Sequence, residues 1–508
     1  MSGGQGMAAS TLPRELCFLI VSFCDALRDI NAVAQTNRHW HDTLNSYLYH
    51  QDVHQHGSYA LAWAAREGRD ETARKALASG ANIALSLDLR GGPLHLAAMY
   101  GREATLRFLL EQEGADPDER LIPGGRTPLS YAAEYGHAGT VALLLATGAV
   151  DPDATSLPFL RTPLSYAAEQ GHLEVVQLLL AHGNVEVNSQ SFPKMRSPLA
   201  YAARYGHLKV VQLLLTHEHV KVDTQSLPDN YTPLFWAADG GHTEVIHELV
   251  AHGADQTVQI RRGRAPLSAA AEFGHFAAVE ALLGHEGIEP DLIIRHGESP
   301  LWYASRSGDV RIVKRLLATG RVNPLRHSPW QQGMTPLCIA AVCGHLEILK
   351  LLHEAAAMEA SQQDLRNELN AALKGAARKD RWPCLKYLNA TEEIDINVLC
   401  SDYRGQSRVP RSDADPKLKW FLYLGNHVQS KHFGTVAELL AIEGIRQSVM
   451  TVLQASRYLP PHMRSEAHVY LGEQMRKLEG WEWFQSPHIH TDATSESGLC
   501  MWSWSDRF

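Results

Sequence analysis

The sequence predicts an all-α solenoid of stacked helix pairs with hairpin-like finger loops, and three observations carry that expectation. A segment of the form (T/S/A)-P-L-x-x-A-A-x-x-G-H recurs six times, at residues 127–137, 162–172, 197–207, 232–242, 265–275 and 335–345. Its prolines, with two looser copies, stand at Pro93, Pro128, Pro163, Pro198, Pro233, Pro266, Pro300 and Pro336, so successive spacings are 35, 35, 35, 35, 33, 34 and 36. A second apolar run follows each copy, as in Val175, Val176, Leu178, Leu179 and Leu180, with the spacing of a helix face. A fixed period of this length marks an array of like units.

Each slot of the motif has a physical reason. A Thr or Ser before the proline offers an N-cap oxygen, and proline at the first helical position gives up only an N–H that lacks a helical partner anyway. The alanine pairs at 132–133, 167–168 and 202–203 let a neighbouring helix approach closely. Gly136, Gly171, Gly206, Gly241 and Gly274 can end the first helix in the left-handed conformation. An extended segment such as 185–188 then leads to the next unit. A first helix of about nine residues is too short to be stable alone in water. Its apolar face must be covered by the units on either side, so stability is a sum over neighbours. The pattern runs past its clear copies. Ala60 fills the proline slot 33 residues before Pro93, and Ala372, Leu373, Ala376, Ala377, Leu385 and Leu388 fall in the expected slots downstream. About ten repeats then occupy residues 57–400. Phasing and motif together resemble the ankyrin-repeat family, which implies a chain that works by binding another protein.

Composition narrows the function classes. A net charge of -9 argues against a dedicated nucleic-acid binder, which would present a basic face. The seven cysteines (Cys17, Cys24, Cys338, Cys343, Cys384, Cys400 and Cys500) are odd in number and irregularly spaced. That fits reduced thiols in the cytoplasm or nucleus rather than a disulfide framework or a zinc site. Residues 1–10 are small and polar, read as a disordered start without a secretory signal. No stretch approaches the uninterrupted apolar length of a spanning helix, so no membrane partner is expected. No phosphate-cradling G-x-x-x-x-G-K, no H-E-x-x-H and no G-x-S-x-G occurs, and a non-catalytic protein without cofactor or metal is expected.

Residues 11–54 lack the repeat motif but have their own helical periodicity, with Leu16, Leu19, Ile20 and Phe23 on one apolar face. So few residues make a small core that needs a partner or the adjacent array. The opening L-P-x-E-L, the Asp29-Ile30 pair and the string T-N-R-x-W resemble an F-box. The resemblance implies docking on a Skp-type adaptor of a cullin-type ubiquitin ligase through Leu12, Pro13, Leu16, Ile20 and Ile30, with the array as substrate-recognition element. The alternative is a helical cap on the open end of an ankyrin scaffold that has no ligase connection. Residues 401–445 read as a polar insertion followed by a degenerate repeat over 424–445, and 446–508 as a helical extension with a tryptophan-rich tail.

Candidate binding residues lie at the two positions between the alanine pair and the glycine, which no structural rule explains. They include Tyr100, Glu134, Tyr135, Glu169, Gln170, Arg204, Tyr205, Asp239, Glu272 and Phe273. Exposed aromatic residues interleaved with charge suit a binding hot spot. Beside them runs a column of arginines, Arg126, Arg161 and Arg196, which either contact the client or pair with glutamates of their own repeats. Phe159, Leu160, Phe192 and Met195 in the finger loops extend the same surface. Tyr131, Tyr166, Tyr201, Trp236 and Tyr303, in the slot before the alanine pair, are expected in the core. The Gly-His histidines are spaced too far apart to share a metal, and are expected to cap the second helix or bond a neighbouring turn.

Overall fold

The computed structural model describes residues 59–391, apart from 85–90, 122–123, 228–229, 257–263, 286, 293–297 and 329–332, with isolated positions at 49, 52–53 and between 424 and 474. Leu12, Pro13, Leu16, Ile20 and Ile30, the polar start and the tryptophan-rich tail lie outside the described residues. So does most of the degenerate repeat, of whose described positions Leu424, Val436, Leu439, Leu440 and Ile445 are buried and Ala441 is exposed.

Two compact units divide the chain, Met1–Arg261 and Arg262–Phe508. Among the described residues the regular elements are helices, and they come in pairs. In unit 1 these are α1 (Tyr59–Glu67) with α2 (Asp70–Ala78), α3 (Pro93–Met99) with α4 (Glu103–Leu110), and α5 (Pro128–Tyr135) with α6 (Ala138–Ala146). There follow α7 (Pro163–Gln170) with α8 (Leu173–Ala181), α9 (Pro198–Tyr205) with α10 (Leu208–Leu215), and α11 (Pro233–Gly240) with α12 (Thr243–Ala251). Unit 2 holds α13 (Pro266–Glu272) with α14 (Phe276–Leu283), α15 (Pro300–Ser307) with α16 (Val310–Leu317), α17 (Pro336–Cys343) with α18 (Leu346–Glu359), and α19 (Gln362–Arg378) with α20 (Trp382–Asn389). Within each unit every first helix packs on the first helices before and after it. The second helices stack in the same order with slighter contact. The alanine pairs make the difference, since Ala132, Ala133, Ala167, Ala168, Ala202 and Ala203 are fully buried where the first helices meet.

Capping follows the motif. Thr127, Thr162, Ser197 and Thr232 each accept the backbone N–H three residues on, at 3.2–3.3 Å, and Ser299 and Thr335 do so in unit 2. Such a cap contributes about 1 kcal/mol. Gly136 ends α5 at φ 78°, and Gly171, Gly206 and Gly241 end their helices likewise, whereas the C-cap of α13 is Phe273, one residue before Gly274. One expectation needs correction. The segment 185–188 is not extended throughout, because residues 187–188 form a turn in which Ser189 N–H donates to the Glu186 carbonyl at 3.2 Å. The last repeats also depart from the pattern. Helices α18 and α19 run 14 and 17 residues and meet at Ala360 and Ser361 without a finger loop. Residues 346–378 carry no proline, and their one glycine, Gly375, lies inside α19. Alanine, leucine and glutamate sustain both helices.

The histidines resolve between their two expected roles. Each stands at the N-cap of a second helix without a side-chain capping bond. In unit 1 the ring instead reaches back one repeat. His137, His172, His207 and His242 place Nε2 2.8–3.0 Å from the carbonyls of Met99, Glu134, Glu169 and Arg204. A carbonyl only accepts, so Nε2 carries the hydrogen in each. Arg102 makes the same reach to the Arg66 carbonyl at 2.9 Å, and in unit 2 His345 and Arg381 reach Arg306 and Val342. The column is interrupted at Asp309, which caps its own helix α16 by accepting the N–H of Arg311 at 2.9 Å.

Candidate functional site

The finger loops of unit 1 repeat as closely as the helices. Single antiparallel bridges join Leu121 to Arg126, Ser156 to Arg161, Ser191 to Arg196 and Ser226 to Tyr231. Behind them the serine hydroxyls hold the core aromatics. Ser156 Oγ lies 2.8 Å from the Tyr166 hydroxyl and Ser191 Oγ 2.7 Å from that of Tyr201, while Trp236 Nε1–H donates to Ser226 Oγ at 3.4 Å. Tyr131, Tyr166, Tyr201, Trp236 and Tyr303 are all buried, as the sequence predicts.

The arginine column sits deeper than a surface row. Arg126 lies 3.8 Å from the Tyr131 ring centroid and 4.6 Å from that of Tyr166 in the next repeat. Arg161 bridges Tyr166 and Tyr201 at 4.0 and 4.7 Å, and Arg196 bridges Tyr201 and Trp236 at 5.7 and 4.1 Å. Each guanidinium thus ties two repeats together through ring faces, a contact worth about 0.5–2 kcal/mol. Arg126 and Arg161 also pair with the glutamate eight residues on, Glu134 and Glu169, and in unit 2 Arg264 pairs with Glu272 at 2.9 Å. These carboxylates are mostly covered rather than exposed, which places Glu134, Glu169 and Glu272 partly in the scaffold.

Aromatic and apolar residues stand out on what remains of the surface. Tyr135 and Tyr205 are 47% and 48% exposed at the C-terminal ends of α5 and α9, and Phe273 takes the equivalent place in unit 2. Gln170 is exposed, and Tyr100 and Asp239 are half-buried. Arg204 lies 4.6 Å from the Trp236 ring centroid and 4.0 Å from the Asp239 carboxylate. In the fingers Phe159, Leu160 and Phe192 are exposed, whereas Met195 is half-buried. Two further exposed residues, Leu157 and Leu227, belong to this row but were not singled out by the motif analysis. The signal for them was present, because both follow the finger serine and precede its proline at 35-residue multiples.

Two of these residues also have an unusual backbone conformation. Leu160 and Met195 adopt φ of 49° and 48°, in the slot where the first finger has Gly125 at 61° and the fourth has Asn230 at 62°. A side chain in this left-handed region costs about 1–2 kcal/mol. At Leu160 that cost maintains an exposed leucine, which contributes nothing to the core.

The arrangement offers contact area and hydrogen bonds. No helix of the described residues is long and apolar enough to cross a membrane. No curated protein matches the chain. Among solved structures, the human ASB11 ankyrin repeat domain is 32% identical over 45% of this chain and 98% of that one, with a TM-score of 0.40. The family model described as ankyrin repeats (3 copies) matches residues 30–121, 113–191, 150–226, 185–260, 234–326 and 301–400, well over half the length. Paired short helices, glycine-ended and joined by fingers, together with this match, make the chain a member of the ankyrin-repeat family, a class of protein-binding module.

Proposed function

We propose that this chain is the substrate-recognition subunit of a Skp–cullin–F-box type ubiquitin ligase in the cytoplasm or nucleus. A protein client lies on the finger face of unit 1, and residues 11–54 hold the Skp-type adaptor. Transfer chemistry belongs to other subunits, and this chain supplies proximity and orientation. The client half rests on one observation. Tyr135, Tyr205, Phe159, Leu160, Phe192 and Leu227 form an exposed row that the fold itself does not require. Aromatic residues of this kind dominate binding energy at protein interfaces. The adaptor half rests on the F-box-like strings in residues 11–54.

A second reading, a scaffold whose N-terminal helices only cap the array, is favoured by Asp52. This buried carboxylate accepts the Ala60 N–H at the start of α1, at 2.8 Å. Co-purification separates the two. Full-length protein should bring down the Skp-type adaptor and cullin, and Leu12→Ala with Pro13→Ala should not. Recruitment that survives both substitutions removes the docking surface, and a failure of the parent protein to recruit either leaves the scaffold.

The client face has its own test. Tyr135→Ala with Tyr205→Ala is expected to weaken capture of clients about tenfold or more. Each substitution should change stability by only about 0.5 kcal/mol. A drop in melting temperature as large as that of a core mutant would reassign both tyrosines to packing.

A further inference from the structure

Three consecutive fingers of unit 1 end in arginine, and the third breaks the electrostatic rule of the first two. Arg126 and Arg161 each have a glutamate eight residues on, Glu134 and Glu169, and pair with it. Eight residues after Arg196 stands Arg204. Arg196 is nonetheless the most deeply placed of the three, at 6% exposure. Nε is buried without a hydrogen-bond partner in all three, but only in Arg196 is Nη2 also without one, whereas Nη2 of Arg126 and of Arg161 are both bonded. A buried guanidinium without a carboxylate is costly, and a second guanidinium beside it adds repulsion. Burial, and after it Arg204, push Arg196 below the ordinary arginine value.

Surrounding groups offset only part of this charge. Both arginines lie over the same indole, at 4.1 and 4.6 Å from the Trp236 centroid. Glu169 is taken by Arg161, and Asp239 stands 4.0 Å from Arg204. Arg204 is partly open to solvent, with Tyr205 exposed next to it and the exposed Phe192 on the finger that Arg196 closes. The mouth of this place is therefore cationic with aromatic edges.

We infer that the repeat carrying Arg196 and Arg204 binds an aspartate or glutamate side chain of the client, whose carboxylate occupies the place that Glu134 and Glu169 fill in the two preceding repeats. The acid meets Arg204 at the surface and neutralises the pair, and apolar neighbours of that acid pack on Phe192 and Tyr205. The client is thus an extended segment with an acidic residue flanked by apolar ones. This rests on the finger face of unit 1 being the client surface, and the test separates the two claims.

An unbiased phage-displayed peptide library is panned against the immobilised full-length protein and against three variants. Selected peptides should share one acidic position, and a synthetic peptide with that residue changed to its amide should bind about tenfold more weakly or worse, as loss of a charge-assisted bond requires. Arg204→Glu restores the Arg–Glu spacing of the neighbouring repeats. It should raise the melting temperature and bring the acid-to-amide affinity ratio close to one, while Arg204→Gln gives an intermediate ratio. Selected peptides without a shared acid overturn the inference. So do an unchanged ratio in Arg204→Glu and a lower melting temperature in that variant. If such acid-indifferent peptides are still lost on Tyr135→Ala with Tyr205→Ala, the client face stands and only the carboxylate falls. Recovery of no peptide at all overturns both.

Discussion

Replacing Leu164 by alanine is expected to destabilise unit 1 by about 2–5 kcal/mol, the range for removing a large apolar side chain from a packed core. Leu164 has no exposed surface and sits in α7, which packs against α5, α8 and α9 at once. The cavity therefore weakens three helix contacts, two of which join separate repeats. Stability in such an array is carried by neighbour interfaces, so the damage spreads along the stack. Urea unfolding of the full chain, followed by circular dichroism, reads the effect in the first transition, since a long array need not unfold in one step. Leu160→Ala is the control. It removes an equal side chain from an exposed finger position and should change stability by about 0.5 kcal/mol or less. Equal shifts for the two variants would contradict the division between core and surface.

Gly136→Ala should cost about 2–3 kcal/mol, the sum of a side chain in the left-handed region and a lost hydrogen bond between repeats. The first part follows from φ of 78° at Gly136. The second follows from the histidine ladder, because an added Cβ would lie 2.5 Å from His172 Nδ1. His172 must then leave the Glu134 carbonyl it holds at 2.9 Å. Gly148→Ala separates the two contributions. Its φ is 66°, yet no atom lies within 4 Å of the added Cβ, so it should carry only the conformational part, about 1–2 kcal/mol. The same urea titration measures both variants. If Gly148→Ala is as damaging as Gly136→Ala, the histidine contact contributes nothing.

Where the motif encodes local chemistry, the fold was legible. Thr127 before Pro128, the alanines at 132–133 and Gly136 each act through their own backbone or nearest neighbour, and each is where the spacing predicts. The buried Tyr166 follows from the same register. Interactions that span repeats were less accessible. The partner of His172 lies 38 residues earlier in the chain, and only the stacking distance brings the two together. Periodicity also concealed what the arginines touch. The sequence left Arg126 either to the client or to a glutamate of its own repeat, but Glu134 pairs with it and the ring of Tyr166, from the next repeat, covers the guanidinium. The charge reversal at Arg204 was visible as a letter, and its consequence required the burial of Arg196. Leu157 and Leu227 went unremarked although they share the register of Phe192, and only the fold shows that the protein leaves them exposed.

One measurement bears most directly on the division of labour between a scaffold of stacked pairs and a client face at their finger side. A photocrosslinking benzoylphenylalanine is introduced singly at Tyr135, at Tyr205, and at the exposed Ala142 and Gln177 on the second helices α6 and α8, and the full-length variants are irradiated in their native extract. The same discrete adducts should form from positions 135 and 205, with none from 142 or 177. Adducts that form equally from α6 and α8, or from those helices alone, would place the partner on the other layer of unit 1 and contradict the account.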